Sequence, residues 1–518
     1  MINQIQSNQI PSGRRQFRSS RLLLSLAIAA MLPGCASFAD LGSNQHIAIP
    51  KSTQDTTSLP AEHGHWPAAD WAAQFGDPQL SALIAEALKQ SPTLAQASAR
   101  VAAAAAFTET ARANTQAKVS GDYTLSRQQY SSSALVPPPY AGSWQTENKA
   151  VVSASYELDV WGKNSSALQS SISKLRASEA EQEKVKLTLS AAIARSYNEL
   201  ARLYALRDLA GTELEQRQQL RLLTDKRAAS GLDTEVEQQG TRKNLASSQA
   251  SLTALDGQIL DVRYQLAALL GAAPDRGLQI ARPSMGAGDT VALPDNLPAD
   301  LVSRRPDIVV ARWNVDASTR DIKVAKADFY PDINLTAAIG LDAFGFGRFL
   351  NAASRTVSAA PAVHLPIFDG GALRAQLKGR YADFDYAVAN YNQTLVSALS
   401  EVAVQLAKVR STDAQLADAQ AASNAATRTY QLTGIQYKAG LTTQLNVVQA
   451  RINALASEQN VTGLRMNRRD QQIALAAALG GGFVDASGSV SNNATASQAA
   501  SRPAAPASSD QPGQFAAK

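Results

Sequence analysis

Few residues in this 518-residue sequence stand where their types and spacing would support chemistry. The four histidines are His46, His63, His65 and His364, and only His63 and His65 lie close together, with Glu62 beside them. A zinc site needs three or four nitrogen, sulfur or oxygen ligands, and no cysteine is near this pair. Ser171 and Lys174 have the spacing of a Ser-x-x-Lys hydrolase pair, but the partner motifs of such enzymes are missing and the segment reads as helix. Phosphate-binding, nucleophile-elbow and dinucleotide-binding glycine patterns do not occur either. The sequence therefore predicts no catalytic residue, no metal site, no cofactor and no enzymatic activity.

The lone cysteine, Cys35, cannot form an internal disulfide, so its position decides its role. Before it come Arg14, Arg15, Arg18 and Arg21, an apolar run from Leu22 to Leu32, and small residues, which together read as a secretory signal over 1–34. The run of 11 residues is well short of the roughly 20 a membrane-crossing helix needs, and no later stretch supplies 18 uncharged apolar residues. Leu32-Pro33-Gly34-Cys35 resembles a bacterial lipobox, so Cys35 is expected to become the acylated first residue of a segment spanning 35–74. Acyl chains contribute roughly 0.8 kcal/mol per buried CH₂, enough in triplicate to hold the chain on a membrane. Ala36, where Asp would retain the protein at the inner membrane, resembles an outer-membrane sorting signal. The net charge of +5 includes four signal-segment arginines unaccompanied by acid, and the remainder is +1. That near balance removes the electrostatic case for nucleic acid.

Two tandem halves must position whatever else is functional. Gly231 to Gly271 matches Gly440 to Gly480 at a constant offset of 209, with 14 of 41 positions identical. At an offset of 214, Pro92 pairs with Pro306 and Ala97 with Ala311. The halves cover 75–271 and 299–484, with a Gly- and Pro-rich connector at 272–298 and an Ala/Ser/Pro tail at 485–518 that reads as disordered. Apolar spacing predicts a helix over about 78–114, then strands near 118–125 and 150–159. After Gly162 a helical pattern runs without proline or glycine to Gly211 and on to Ser230, roughly 100 Å at 1.5 Å per residue. Gly231-Leu232-Asp233-Thr234 supplies the stop and the cap of a returning helix. The second half repeats the order: helix 299–328, strands near 333–341 and 357–367, long helix 371–439, turn Gly440-Leu441-Thr442-Thr443, and return helix to Leu479. Four strands are too few to close a barrel, so closure needs several chains.

Four stretches carry a family resemblance: Ser155-Tyr156-Glu157-Leu158-Asp159-Val160-Trp161-Gly162-Lys163, Leu301-Val302-Ser303-Arg304-Arg305-Pro306-Asp307-Ile308, Ala327-Asp328-Phe329-Tyr330-Pro331-Asp332-Ile333, and Leu365-Pro366-Ile367-Phe368-Asp369-Gly370-Gly371. Over about 66–480 the sequence resembles the TolC-like outer membrane factors, and within them the acylated efflux lipoproteins of Gram-negative bacteria. Arg312 and Ala117 depart from the family's frequent Glu and Pro. The resemblance implies a mainly α fold with a β-barrel: a homotrimer with a 12-stranded barrel, four strands per chain, in the outer membrane, continued by a long periplasmic α-helical tunnel. It further implies a passive exit duct for small molecules. An inner-membrane pump of RND or related type would energise it through a periplasmic adaptor, a membrane fusion protein. Two rival readings stand beside this one: the exit channel of type I protein secretion, and a non-conducting, lipid-anchored coiled-coil scaffold.

Within that resemblance, Gly231, Leu232 and Thr234 and their counterparts Gly440, Leu441 and Thr443 would form the tip that meets the adaptor. The family often places carboxylates about six and nine residues past the second glycine, in rings that narrow the tunnel; here those positions are Asn446 and Gln449, both neutral. Any acidic ring would then come from Glu235 and Glu237, which would attract cations, or else simply occupy a helix N-terminus where the dipole favours them. Tyr437 and Arg451 flank the second turn as further aperture residues.

Overall fold

The computed structural model describes residues 41–43, 45–48, 58–60, 62–133, 137–286, 293–294 and 297–485. Cys35 and the signal segment lie outside the described residues, as does the tail beyond Asp485. In chain order the elements are α1 (Pro78–Gln90), α2 (Pro92–Ala113), β1 (Lys118–Gln129), β2 (Trp144–Leu158), α3 (Lys163–Ala229), α4 (Glu235–Leu270), α5 (Pro274–Leu278), α6 (Leu297–Arg304), α7 (Pro306–Ala327), β3 (Asp332–Phe344), β4 (Arg355–His364), α8 (Ala372–Lys438) and α9 (Gln444–Ala478). Short 3-10 turns cover Trp71–Phe75 and Ala352–Ser354. Helices α3 and α8 are each 67 residues long, as the unbroken runs require.

The single helix expected at the start of each half is divided. Ser91 (φ −63°, ψ 125°) separates α1 from α2, and Arg305 separates α6 from α7. In both places the next residue is proline, whose ring pushes its predecessor out of the helical region. Strands β1, β2 and β3 are longer than expected, with β2 opening already at Trp144, whereas β4 starts and ends earlier than the expected 357–367. The connector also contains α5, tied to α1 by the Arg276–Glu86 ion pair at 2.8 Å.

The chain forms two compact units. One gathers Ala103–Leu175 and Trp313–Asn390 and holds an antiparallel sheet in the order β1-β2-β3-β4. The register sets Val119, Ala154, Ala337 and Ala359 in one row, Gly121, Val152, Ile339 and Val357 in the next, with Tyr156, Leu335 and Pro361 on the other side. Successive strand residues point to opposite faces, so these share one face with Tyr123, Leu125 and Val363. The opposite face carries Ser120, Asp122, Thr124, Lys149, Ser153, Glu157, Asn334, Thr336, Asp342 and Ser358. Beside the sheet, Trp161 stacks on Tyr330 with centroids 4.7 Å apart and donates its indole N–H to the Pro331 carbonyl at 2.9 Å.

The other unit is built from Ile47–Ala102, Arg176–Arg312 and the chain from Tyr391 onward. Its main core joins Phe75, Leu80 and Leu83 to Ile193, Tyr197 and Leu200 of α3, Leu266 and Leu270 of α4, and Ile473 of α9. Tyr197 is fully buried; its hydroxyl donates to Asp77 Oδ2 at 2.7 Å and accepts from Gln79 Nε2 at 2.6 Å. Asp77 also caps α1 through the Gln79 amide at 3.0 Å and accepts from the Ser284 amide at 2.7 Å. Burial opposes its ionisation, but these donors together hold the carboxyl below its usual range.

The repeat also appears in how each return helix ends. Gly271 (φ +75°) closes α4 where a Cβ would come within 2.6 Å of Pro92 Cδ, and Gly480 (φ +93°) follows α9 where it would come within 1.9 Å of the Arg304 carbonyl oxygen. Each glycine thus packs its bare Cα against the pre-proline break of its own half, a contact no other residue allows.

Candidate functional site

The two interhelical turns have nearly the same backbone. After α3, the Gly231 amide donates to the Ala228 carbonyl at 2.9 Å and the Leu232 amide to Arg227 at 2.8 Å. After α8, Gly440 donates to Tyr437 at 3.0 Å and Leu441 to Gln436 at 2.9 Å. This is the helix-ending arrangement in which a left-handed residue lets two amides satisfy the last carbonyls, and both glycines have φ near +70° (69° and 72°). Satisfying the backbone locally leaves the next side chain outside: Leu232 is 67% exposed and Leu441 79%.

Their side chains differ. In the first turn Arg227 grips Asp233 through two bonds of 2.9 Å each, and this guanidinium holds the Asp233 carboxyl below its ordinary range. Thr234 caps α4, with its amide donating to Glu237 Oε2 at 2.9 Å. Glu237 therefore serves the helix start, while Glu235 is exposed at the first position of α4. The Thr-x-x-Glu spacing announces this cap. The second turn has Thr443 at the equivalent cap but no carboxylate: Asn446 Nδ2 donates to Thr442 Oγ1 at 2.9 Å, and Gln449 Nε2 to Asn453 Oδ1 at 3.2 Å. Arg451 lies over the ring of Tyr430, 5.4 Å from its centroid, and Tyr437 is 44% exposed.

Leu445, Val448 and Ile452 of α9 pack on Leu220 and Leu223 of α3, which sets the two helix ends side by side. Farther along, a cavity of about 560 Å³ opens among α3, α4 and α9. Its charged lining is internally matched: Arg195 with Asp470 at 2.8 and 3.0 Å, and Arg202 with Glu199 at 2.7 and 2.6 Å. Arg312, the departure from the family's frequent Glu, is ion-paired with Asp485. No group of three or more His, Cys, Asp or Glu that could hold a metal occurs among the described residues.

Comparison with known proteins gives the arrangement a context. Residues 83–272 and 297–481 match the profile of a family described as outer membrane efflux protein. The fusaric acid resistance protein FusA of Burkholderia cepacia is 37% identical over 363 residues, 68% of each chain. The multidrug resistance outer membrane protein MdtP of Escherichia coli strain K12 is 31% identical over 476 residues, 90% of this chain and 97% of that one. Among solved structures, the outer membrane protein VceC of Vibrio cholerae superposes with a TM-score of 0.75 at 33% identity, covering 81% of this chain and all of its own.

Proposed function

We propose that this chain, which belongs to the outer membrane efflux protein family, is the exit duct of a tripartite assembly that passes small molecules from an inner-membrane pump through a periplasmic adaptor. It is an outer membrane efflux channel with the TolC-like fold. The names of the Burkholderia and Escherichia relatives favour small toxic molecules over secreted proteins as cargo. The observation that carries the duct reading is the sheet: one face apolar and the other polar across all four strands, with β1 and β4 left as open edges. An apolar exterior and a polar interior are what a conducting barrel needs, and three copies would supply 12 strands. A scaffold has no use for such a sheet. Conductance by the purified oligomer in planar bilayers tests this reading, and a folded oligomer that passes no current would return the scaffold.

Two finer assignments accompany it. Cys35 is the lipid attachment point; Cys35→Ser should abolish palmitate labelling while the strands still insert, and labelling that persists removes the assignment. The exposed Leu232 and Leu441 meet the adaptor at the tip. Charged substitution at both should end crosslinking to the adaptor while oligomers persist, and crosslinking that survives moves docking elsewhere.

A further inference from the structure

The charge of the two hairpin ends is lopsided in a way that bears on what passes them. From 419 to 457 the second hairpin end holds Arg428, Lys438 and Arg451 and no carboxylate at all. Arg428 and Lys438 are exposed and Arg451 half-buried, and none of the three is ion-paired among the described residues. Lys438 is two residues from Gly440; Arg451 and Arg428 lie roughly 10 and 15 Å back along their helices at 1.5 Å per residue. The first hairpin end, 219–248, carries five cations and four carboxylates. Three of those carboxylates are engaged locally: Asp233 by Arg227, Glu237 by the Thr234 amide, and Asp225 by Arg221 and Gln238. Glu235 is the remaining carboxylate, against the exposed Lys226, Arg242 and Lys243 of the same end. Since the whole chain beyond residue 34 sums to only +1, the two ends carry a net charge of +4 and the rest of that chain a net charge of −3.

Because the Leu445, Val448 and Ile452 contacts with α3 set the ends side by side, their fields add. A solute crossing a ring of such ends passes within about a Debye length, roughly 8 Å at physiological salt, of several fixed cations. A narrow opening with low-dielectric walls focuses that field. We propose that the hairpin ends form a cationic mouth that concentrates anions, so that the solutes favoured by the channel are organic acids in their ionised form. This rests on the duct reading. It also departs from the expectation of a cation-attracting acidic ring, because Glu237 is bound by its own turn and Glu235 alone is outnumbered by the exposed Lys226, Arg242 and Lys243 of the same hairpin end.

The test uses the purified full-length oligomer in planar bilayers with a KCl gradient, reading the reversal potential. Chloride should be preferred over potassium by roughly threefold or more at 0.1 M salt. Arg428→Gln with Lys438→Gln and Arg451→Gln should bring the ratio close to unity. Lys438→Glu alone, at an exposed tip position that no core contact uses, should lower it without affecting folding. A cation-selective wild type overturns the proposal, as does chloride preference unmoved by either variant. If the triple variant keeps its selectivity but loses crosslinking to the adaptor, the cations serve an acidic partner surface and the proposal also falls. A folded oligomer that carries no current refutes the duct itself, a separate outcome.

Discussion

Replacing Arg305 should destabilise the helical unit more than any other single charge removal in the family-like motif. Its side chain is 11% exposed and touches three elements. Nε and Nη2 donate to the Asp307 carboxylate at 3.0 and 2.7 Å, and Nη1 donates to Glu401 at 2.8 Å and to the Ala478 carbonyl at 2.9 Å. Burial opposes the charge, yet Asp307 and then Glu401 hold the guanidinium above its ordinary pKa. In Arg305→Ala, a carbonyl at the end of α9 loses its donor at about 1–3 kcal/mol. A partly buried carboxylate loses a two-bond clamp worth about 1.5–3 kcal/mol. Glu401, 48% exposed, adds under about 1 kcal/mol. Together these terms span about 2.5–7 kcal/mol, a range that brackets the roughly 3–5 kcal/mol cost of breaking a buried pair. Arg305→Lys keeps the charge but lacks the planar fork, and should lose roughly half as much. The assay is heat unfolding followed by helical circular dichroism in detergent at one fixed scan rate, because a chain of this kind unfolds irreversibly. A midpoint drop of several degrees is expected for Ala, an intermediate drop for Lys, and almost none for Glu401→Gln. An Ala variant that melts with the wild type, or a Glu401→Gln variant that falls as far as Ala, refutes the reasoning.

Other outcomes follow from the same contacts. Gly480→Ala should reduce stability far more than Gly440→Ala, although both have positive φ, because only the first would drive a Cβ into backbone; the second should lose about 1 kcal/mol of torsional preference, and equal losses would contradict the packing. The folded pKa of Asp77 is depressed, so its contribution is present above about pH 3.8 and is lost as pH falls through the lowered value. Unfolding midpoints of the wild type should therefore drop in that acid range, and those of Asp77→Asn should stay flatter there. On the sheet, Ile339→Lys sets a charge in the apolar band and should cost about 2–4 kcal/mol of insertion, seen as lost outer-membrane oligomer, whereas Thr336→Lys on the polar face should insert normally.

The long helices were readable because 67 residues without a proline, and with only isolated glycines, favour one continuous element, and the turns because a glycine at a helix stop has a local cause. The breaks at Ser91 and Arg305 were equally local, marked by Pro92 and Pro306, but regular apolar spacing on both sides masked them. The cap role of Glu237 was written in its spacing from Thr234. Other features had no local mark. Tyr197 finds Asp77 across 120 positions, Trp161 finds the Pro331 carbonyl across 170, and Arg305 reaches Ala478 across 173. Such partnerships arise only when distant elements pack, and spacing along the chain does not encode them. The partner of Arg451 was of an intermediate kind: Tyr430 lies across a single turn, yet Tyr437 was equally available by sequence.

The open edges of β1 and β4 bear on the order of events in the life of the protein. Along 12 and 10 residues respectively, every second peptide group on these edges points away from the sheet. Water hydrates such groups readily, whereas hydrocarbon offers them nothing, at several kcal/mol each. A solitary copy therefore partitions to the aqueous side however apolar its outer face, and edges must meet before or while the sheet enters lipid. Insertion should then depend steeply on how many copies have been delivered, with pairing acting as a proofreading step. Chains whose edges are misregistered by one residue would present Asp122 and Lys149 to the lipid and be held back.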